Sequence, residues 1–213
     1  MEAVYSLLAA LLAYLIGSLS FAVIVSRFMG LQDPRTFGSK NPGATNVLRS
    51  GSKPAAIATL VLDALKGYVP VLAVKLYGKD FGLGDGTLAL VALAAFMGHL
   101  FPVFFKFKGG KGVATAAGVI FGIDWLLGLA CMASFAIILY FFRYVSLASL
   151  CAAGFAPFYY LFGDRAAWYA SKSVLLAIFI IAVLLAVRHR ENINRLLQGI
   201  EAKLGSGEKS KKA

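Results

Sequence analysis

Six residues in the middle of the chain, Phe107-Lys108-Gly109-Gly110-Lys111-Gly112, have the composition of an anion cradle. Glycines let backbone amides converge on a negative group, and the two lysines add charge. An apolar segment, Val113-Ala114-Thr115, begins straight afterwards. The amides of Gly109, Gly110 and Gly112 therefore sit at a predicted helix start, where the dipole favours an anion. Gly98-His99-Leu100-Phe101-Pro102 closes the apolar run before it. The pattern is not a nucleotide P-loop. Lys111 is followed by Gly112 instead of Ser or Thr, and Phe105 stands where the first glycine belongs. The alternative is a pair of lysines snorkelling at a membrane edge.

Two further stretches carry similar chemistry. Arg27–Lys53 is a 27-residue connection, longer than most. Its centre reads Gly38-Ser39-Lys40-Asn41-Pro42-Gly43-Ala44-Thr45-Asn46, followed by Arg49 and Gly51. Ser39, Asn41, Thr45 and Asn46 offer hydroxyl and amide groups, and Arg49 can hold a phosphate through two parallel bonds. The same residue types also make turns and helix caps, which is the competing reading. The third stretch is Arg188-His189-Arg190-Glu191-Asn192-Ile193-Asn194-Arg195. At helical spacing His189 and Asn192 share a face and can reach one ligand together. A basic stop signal after a membrane span is the alternative. Glu201, farther on, has lysines and arginines nearby to pair with.

Asp63 and Lys66 lie three apart inside an apolar run, and the expectation for them is a structural ion pair facing the protein interior. His99 reads as a hydrogen-bonded residue near a helix end, with a catalytic role as the alternative. No metal site is expected, because the two histidines, His99 and His189, have no carboxylate cluster beside them. Cys131 and Cys151 read as inert small hydrophobes inside apolar runs. Gly82-Leu83-Gly84-Asp85-Gly86 reads as a turn.

The elements that must position these groups belong to lipid. Of the 213 residues, 60% are hydrophobic and 15% charged, too apolar a mix for a soluble domain of this size. Apolar runs occur at Ala3–Ser26, Pro54–Val74, Thr87–Phe105, Val113–Ile123, Trp125–Phe142, Val145–Phe162 and Ser173–Val187. The first has no basic flank and no small-x-small cleavage site, so it reads as a retained span. Val113–Ile123 is too short to cross alone. It is either a half-membrane helix or continues through Asp124 into the next run. The expected fold is an all-α integral membrane bundle of about seven transmembrane or half-membrane helices, with five crossings as the fallback. Residues 1–204 form one embedded domain, and 205–213 a disordered basic tail.

With seven segments, alternate connectors carry sixteen Lys and Arg against four acids, while the other face carries four bases against five acids. The positive-inside rule then puts the N-terminus outside and the C-terminus, with all three polar stretches, in the cytoplasm. Basic loops alone would also follow from insertion and from attraction to acidic headgroups.

Taken together, the three stretches resemble the PlsY family of acyltransferases. The matching residues are Gly38–Asn46 with Arg49, then Asp63 and Lys66-Gly67; Gly98–Pro102 with Phe107–Thr115; and Arg188-His189, Asn192-Ile193, Arg195-Leu196 and Glu201. The match spans nearly the whole chain. Lys40 departs from it, since the family often has glycine there. The resemblance implies transfer of a fatty acyl group from acyl phosphate to glycerol 3-phosphate, forming lysophosphatidic acid in the first step of phospholipid synthesis in a bacterial inner membrane. It also implies that Ser39 and Arg49 are essential polar residues. Gly109, Gly110 and Gly112, with Lys108 or Lys111, become the glycerol 3-phosphate loop. His189 and Asn192 become site residues, and Glu201 a structural one. Asn41, Thr45 and Asn46 join as substrate-binding candidates.

No cofactor and no nucleic acid are expected. The expected partners are the two substrates, membrane lipids and, by pathway logic, the enzyme that makes acyl phosphate. Against other lipid-headgroup enzymes, neither histidine begins a His-x4-Asp motif, and Asp63 stands outside any aspartate cluster. A small transporter of phosphorylated anions is the alternative from a different class. It would need binding groups on both faces, and the second face here is short-looped and slightly acidic.

Overall fold

The computed structural model describes residues 1–205, so the expectation of a disordered tail falls almost wholly outside the described residues. Ten α-helices follow in chain order: α1 (Glu2–Gly17), α2 (Phe21–Phe28), α3 (Ala44–Leu48), α4 (Lys53–Tyr77), α5 (Asp85–Leu100), α6 (Val113–Ile123), α7 (Trp125–Phe142), α8 (Val145–Phe162), α9 (Lys172–Arg188) and α10 (Arg190–Leu197). Among the described residues there is no β-strand. That is the expected architecture for a chain that must satisfy its backbone polar groups within each segment inside lipid.

Four spans are long and apolar enough by themselves: those of α4, α5, α7 and α8. Two more arise when the bent pairs α1–α2 and α9–α10 are each taken as one span. The structure divides the first apolar run, which the sequence presents as unbroken. α1 and α2 meet at 43° across Ser18-Leu19-Ser20. α6 stays separate from α7, because Asp124 adopts an extended backbone (φ −155°, ψ 135°) and caps α7 by accepting from Leu126 N at 2.8 Å. With 11 residues, α6 is about 16 Å long, a half-membrane helix.

α5 lies in the centre and packs on α1, α4, α6 and α9. Its Phe96 and Leu100 are fully buried, as are Val71 of α4, Val119 of α6 and Leu127 of α7. α4 and α6 run side by side at close range. A Cβ on Gly67 would strike the Thr115 carbonyl, and one on Gly118 the Ala64 carbonyl. Small residues let backbones approach this way in lipid, where packing replaces the hydrophobic drive. The outer helix α7 instead exposes Ile137, Tyr140 and Phe141, side chains suited to acyl chains.

The break in the first span has a physical cause. It frees the Leu19 carbonyl, and Lys66 Nζ donates to it at 2.6 Å. Lys66 also pairs with Asp63 Oδ1 at 2.7 Å, and both side chains are buried. Two charges removed from water need each other and further hydrogen bonds to be tolerated.

Candidate active site

The three polar stretches meet at one end of the bundle. The first is organised by Asn46 on α3, which is 2% exposed. Its Oδ1 accepts from Ser39 N at 3.0 Å, while its Nδ2 donates to Pro34 O at 2.6 Å and Phe37 O at 3.2 Å. The Asn46 amide therefore shapes the loop and has little capacity left for a substrate. Arg49, one residue past α3, lies over Gly38 with its side chain exposed, and that side chain has no hydrogen bond or ion pair among the described residues. Ser39 and Thr45 are also exposed, and Asn41 is half-buried. Lys40 has φ 54°, in the left-handed region that favours glycine. This accounts for the glycine that the resemblance places there.

The glycine stretch arrives through a tight reversal. Phe107 N donates to Pro102 O at 3.0 Å and Lys108 N to Phe105 O at 3.1 Å, with Lys106 and Phe107 both at positive φ. Gly109 and Gly110 are buried against α5, and the chain enters α6 after Gly112. A Cβ on Gly110 would run into the His99 ring and come within 2.8 Å of the Pro42 carbonyl, so this glycine joins the second stretch to the first. The amides of Lys111 and Gly112 have no protein acceptor among the described residues and precede the first turn of α6. Lys108 is exposed nearby.

His99 is buried, and its protonation follows from its neighbours. Thr115 Oγ1 donates to Asp63 O at 2.9 Å, so its 3.1 Å contact with His99 Nδ1 requires the proton on that nitrogen. Nε2 is then the bare nitrogen, facing Gly110.

The third stretch closes the site. α9 ends at Arg188, and the chain bends by 61° into α10 at His189. The sequence reads as one continuous helix here; the bend turns α10 across the end of the bundle. His189 is buried, and its Nδ1 donates to the Leu185 carbonyl at 2.8 Å, leaving Nε2 bare. Asn192 Oδ1 accepts from Lys111 Nζ, and its Nδ2 donates to Glu201 Oε1 at 2.7 Å. Glu201 also accepts from Ser146 Oγ at 2.7 Å and pairs with Arg195 at 2.7 Å. Burial pushes the Glu201 carboxyl up, but the hydrogen bonds from Asn192, Ser146 and Arg195 outweigh it and hold the group below the ordinary glutamate value. Burial, with the positive charges of Arg195 and Arg49, holds the Lys111 ammonium below the ordinary lysine value, against the pull of Glu201 and Glu191.

Lys111 thus bonds Asn192 of the third stretch and lies near enough to Arg49 of the first to feel its charge. The family model for glycerol-3-phosphate acyltransferase matches residues 7–199. The chain belongs to this family. A glycerol-3-phosphate acyltransferase of Albidiferax ferrireducens is 65% identical, over 96% of this chain and 92% of the relative. One from Cupriavidus taiwanensis is 56% identical, over 96% and 98%. The chain is similar to a crystal structure of PlsY, an integral membrane glycerol 3-phosphate acyltransferase, in its glycerol 3-phosphate form: TM-score 0.86, 40% identity, covering 96% of this chain and 98% of that one. The lysophosphatidic acid form gives a TM-score of 0.84 at 39% identity, over 95% and 96%. The protein is an integral membrane acyltransferase of the PlsY family, and the transporter reading finds no support.

Two contributors were not among the residues singled out from sequence. Ser146 opens an apolar run with nothing to mark it, and the Pro42 carbonyl is visible only in the folded chain. Arg188 was quoted as one of a row of basic residues, with no signal separating it from its neighbours.

Proposed function

We propose that this acyltransferase joins the acyl group of an acyl phosphate to glycerol 3-phosphate, releasing lysophosphatidic acid and phosphate on the cytoplasmic side of a bacterial inner membrane. The observation that carries this is the convergence of Arg49, Lys108 and Lys111 with the unpartnered amides of Lys111 and Gly112 at one end of the bundle. Two phosphates that repel each other need such a concentration of positive charge. The glycerol 3-phosphate form of the similar PlsY structure supports the acceptor, and the basic connectors of this end support its cytoplasmic placement, with the N-terminus outside.

In the reaction, a hydroxyl oxygen of glycerol 3-phosphate attacks the acyl carbonyl carbon. The bond from that carbon to the phosphate oxygen breaks, and phosphate leaves with the electron pair. The mixed anhydride is already activated, so the protein contributes positioning and charge stabilisation, with no covalent intermediate and no cofactor. Lys111 and the loop amides hold the acceptor phosphate. Arg49, with Ser39, Asn41 and Thr45 beside it, faces the donor phosphate, and Asn46 keeps that loop in shape. The departing phosphate takes the hydroxyl proton. The bare Nε2 of His189 is the competing acceptor, and the absence of a carboxylate on its Nδ1 weakens it for that task. The acyl chain lies among the lipid-facing helices, and an enzyme that makes acyl phosphate supplies the donor.

The deciding assay uses purified protein with glycerol 3-phosphate and a long-chain acyl phosphate, reading lysophosphatidic acid. Turnover with acyl-CoA or acyl carrier protein alone would overturn the donor. His189→Ala retaining a rate within about tenfold of wild type would exclude an obligatory histidine base, since such help is typically worth about 10²–10⁴.

A further inference from the structure

The Gly109–Gly110 segment is held from two sides. On the α9 side, Arg188 Nη2 donates to Gly109 O at 2.9 Å and Nε to Gly110 O at 3.1 Å. On the α5 side, the His99 carbonyl accepts the Gly110 N–H at 3.2 Å, and the bare Nε2 of the His99 ring lies against the Gly110 Cα. Arg188 forms no ion pair with a carboxylate among the described residues, although Glu191 lies three positions on. Its side-chain hydrogen bonds among the described residues both go to the main chain of the glycine segment.

A planar trans peptide points its C=O and N–H in opposite directions. With the Gly109 and Gly110 carbonyls drawn to Arg188, the N–H groups of Gly110 and Lys111 are turned away from it. The Gly110 N–H is absorbed by His99, and that of Lys111 is left unpartnered beside that of Gly112. A guanidinium can grip two consecutive carbonyls through separate nitrogens of one rigid plane, which an ammonium cannot do in the same geometry.

We propose that Arg188 is a positioning residue: acting against His99, it fixes the two carbonyls and thereby aims the Lys111 amide at the acceptor phosphate. This rests on the reading of the glycine segment as the glycerol 3-phosphate loop. It assigns Arg188 a role through the backbone instead of through its charge.

The test compares Arg188→Lys, Arg188→Gln and Lys111→Met with wild type in detergent, by initial rates at varied glycerol 3-phosphate and saturating acyl phosphate, and by amide hydrogen exchange of residues 107–113. Arg188→Lys keeps the charge, and Arg188→Gln keeps one donor should the lysine variant fold poorly. The expected result for both is a KM for glycerol 3-phosphate raised about tenfold or more, as for loss of a charge-assisted hydrogen bond. The kcat and the KM for acyl phosphate should stay within about threefold, and exchange in 107–113 should accelerate. Wild-type KM in both Arg188 variants, with Lys111→Met raised, overturns the clamp and leaves the loop reading intact. A fall in kcat at unchanged KM likewise overturns it. Wild-type KM in all three overturns the loop reading itself.

Discussion

Asn192 and Glu201 share a 2.7 Å hydrogen bond that decides which way the asparagine amide faces. Because Nδ2 is committed to the carboxylate, Oδ1 is turned to Lys111 Nζ. The carboxylate thus acts on the lysine from one residue away, and Asn192 is where the two meet. Asn192→Ala should release the ammonium and lower kcat/KM for glycerol 3-phosphate about 10- to 100-fold, the worth of a hydrogen bond to a charged group. The thermal midpoint should also fall by about 2–4 °C per kcal/mol lost, because Glu201 loses one of its donors. A variant with wild-type kinetics would show that Lys111 needs no such guide.

The Glu201 cluster should make stability depend on pH. Its carboxyl is held below its ordinary value in the folded protein, so the unfolded chain binds the proton more readily. The stabilisation is therefore complete above the ordinary glutamate range and is lost as pH falls through that range and below. Thermal unfolding of wild type and Glu201→Gln across pH should show a gap at neutral pH that closes on acidification. A gap constant with pH would place the contribution in packing alone.

Gly110→Ala puts a methyl group against the His99 ring and 2.8 Å from the Pro42 carbonyl. Overpacking of this kind costs about 1–3 kcal/mol. The loop must shift, and KM for glycerol 3-phosphate should rise about tenfold or more. Gly86→Ala, whose Cβ would meet nothing within 4 Å, serves as the control and should match wild type.

Breaking the buried pair should cost more than deleting it. Lys66→Met leaves the buried Asp63 charged with only the His99 ring beside it among the described residues, 3.7 Å away, with a stability loss of about 3–5 kcal/mol. Asp63→Asn combined with Lys66→Met removes both charges and should recover part of that loss in thermal unfolding. If the double variant is as unstable as the two single losses added, the pair holds the break at Leu19 through geometry that neutral side chains do not reproduce.

Much of the fold was legible in the sequence for a reason specific to lipid. A helix there ends where apolar residues stop, so Val113–Ile123, Trp125–Phe142 and Val145–Phe162 are bounded in the structure where Gly112, Asp124 and Arg143 interrupt the apolar pattern. The break after Gly17 was not legible. Gly17-Ser18-Leu19-Ser20 are residues that a membrane helix tolerates, and the partner that rewards the break, Lys66, lies 47 positions away. The bend at His189 was hidden in the same way within a run of polar residues compatible with one helix. In the site, types and spacing singled out Arg49, Lys111 and the glycines, which the fold brings to one end of the bundle. They could not distinguish Asn46, whose amide is spent on the loop, from Asn192, which faces the lysine, because both are asparagines in polar segments.

The brevity of α6 has one more consequence. α6 and α7 meet at the Asp124 corner, but α6 has 11 residues and α7 has 18. At 1.5 Å per residue α6 is about 10 Å shorter than α7. An upright helix of 11 residues ends inside a hydrocarbon layer of about 30 Å, so the proposed acceptor would descend past the headgroups to meet the loop amides. In the proposed reaction such a position would bring a water-soluble acceptor down to a carbonyl anchored in oil and would keep the anhydride from bulk water until the acceptor alcohol is beside it.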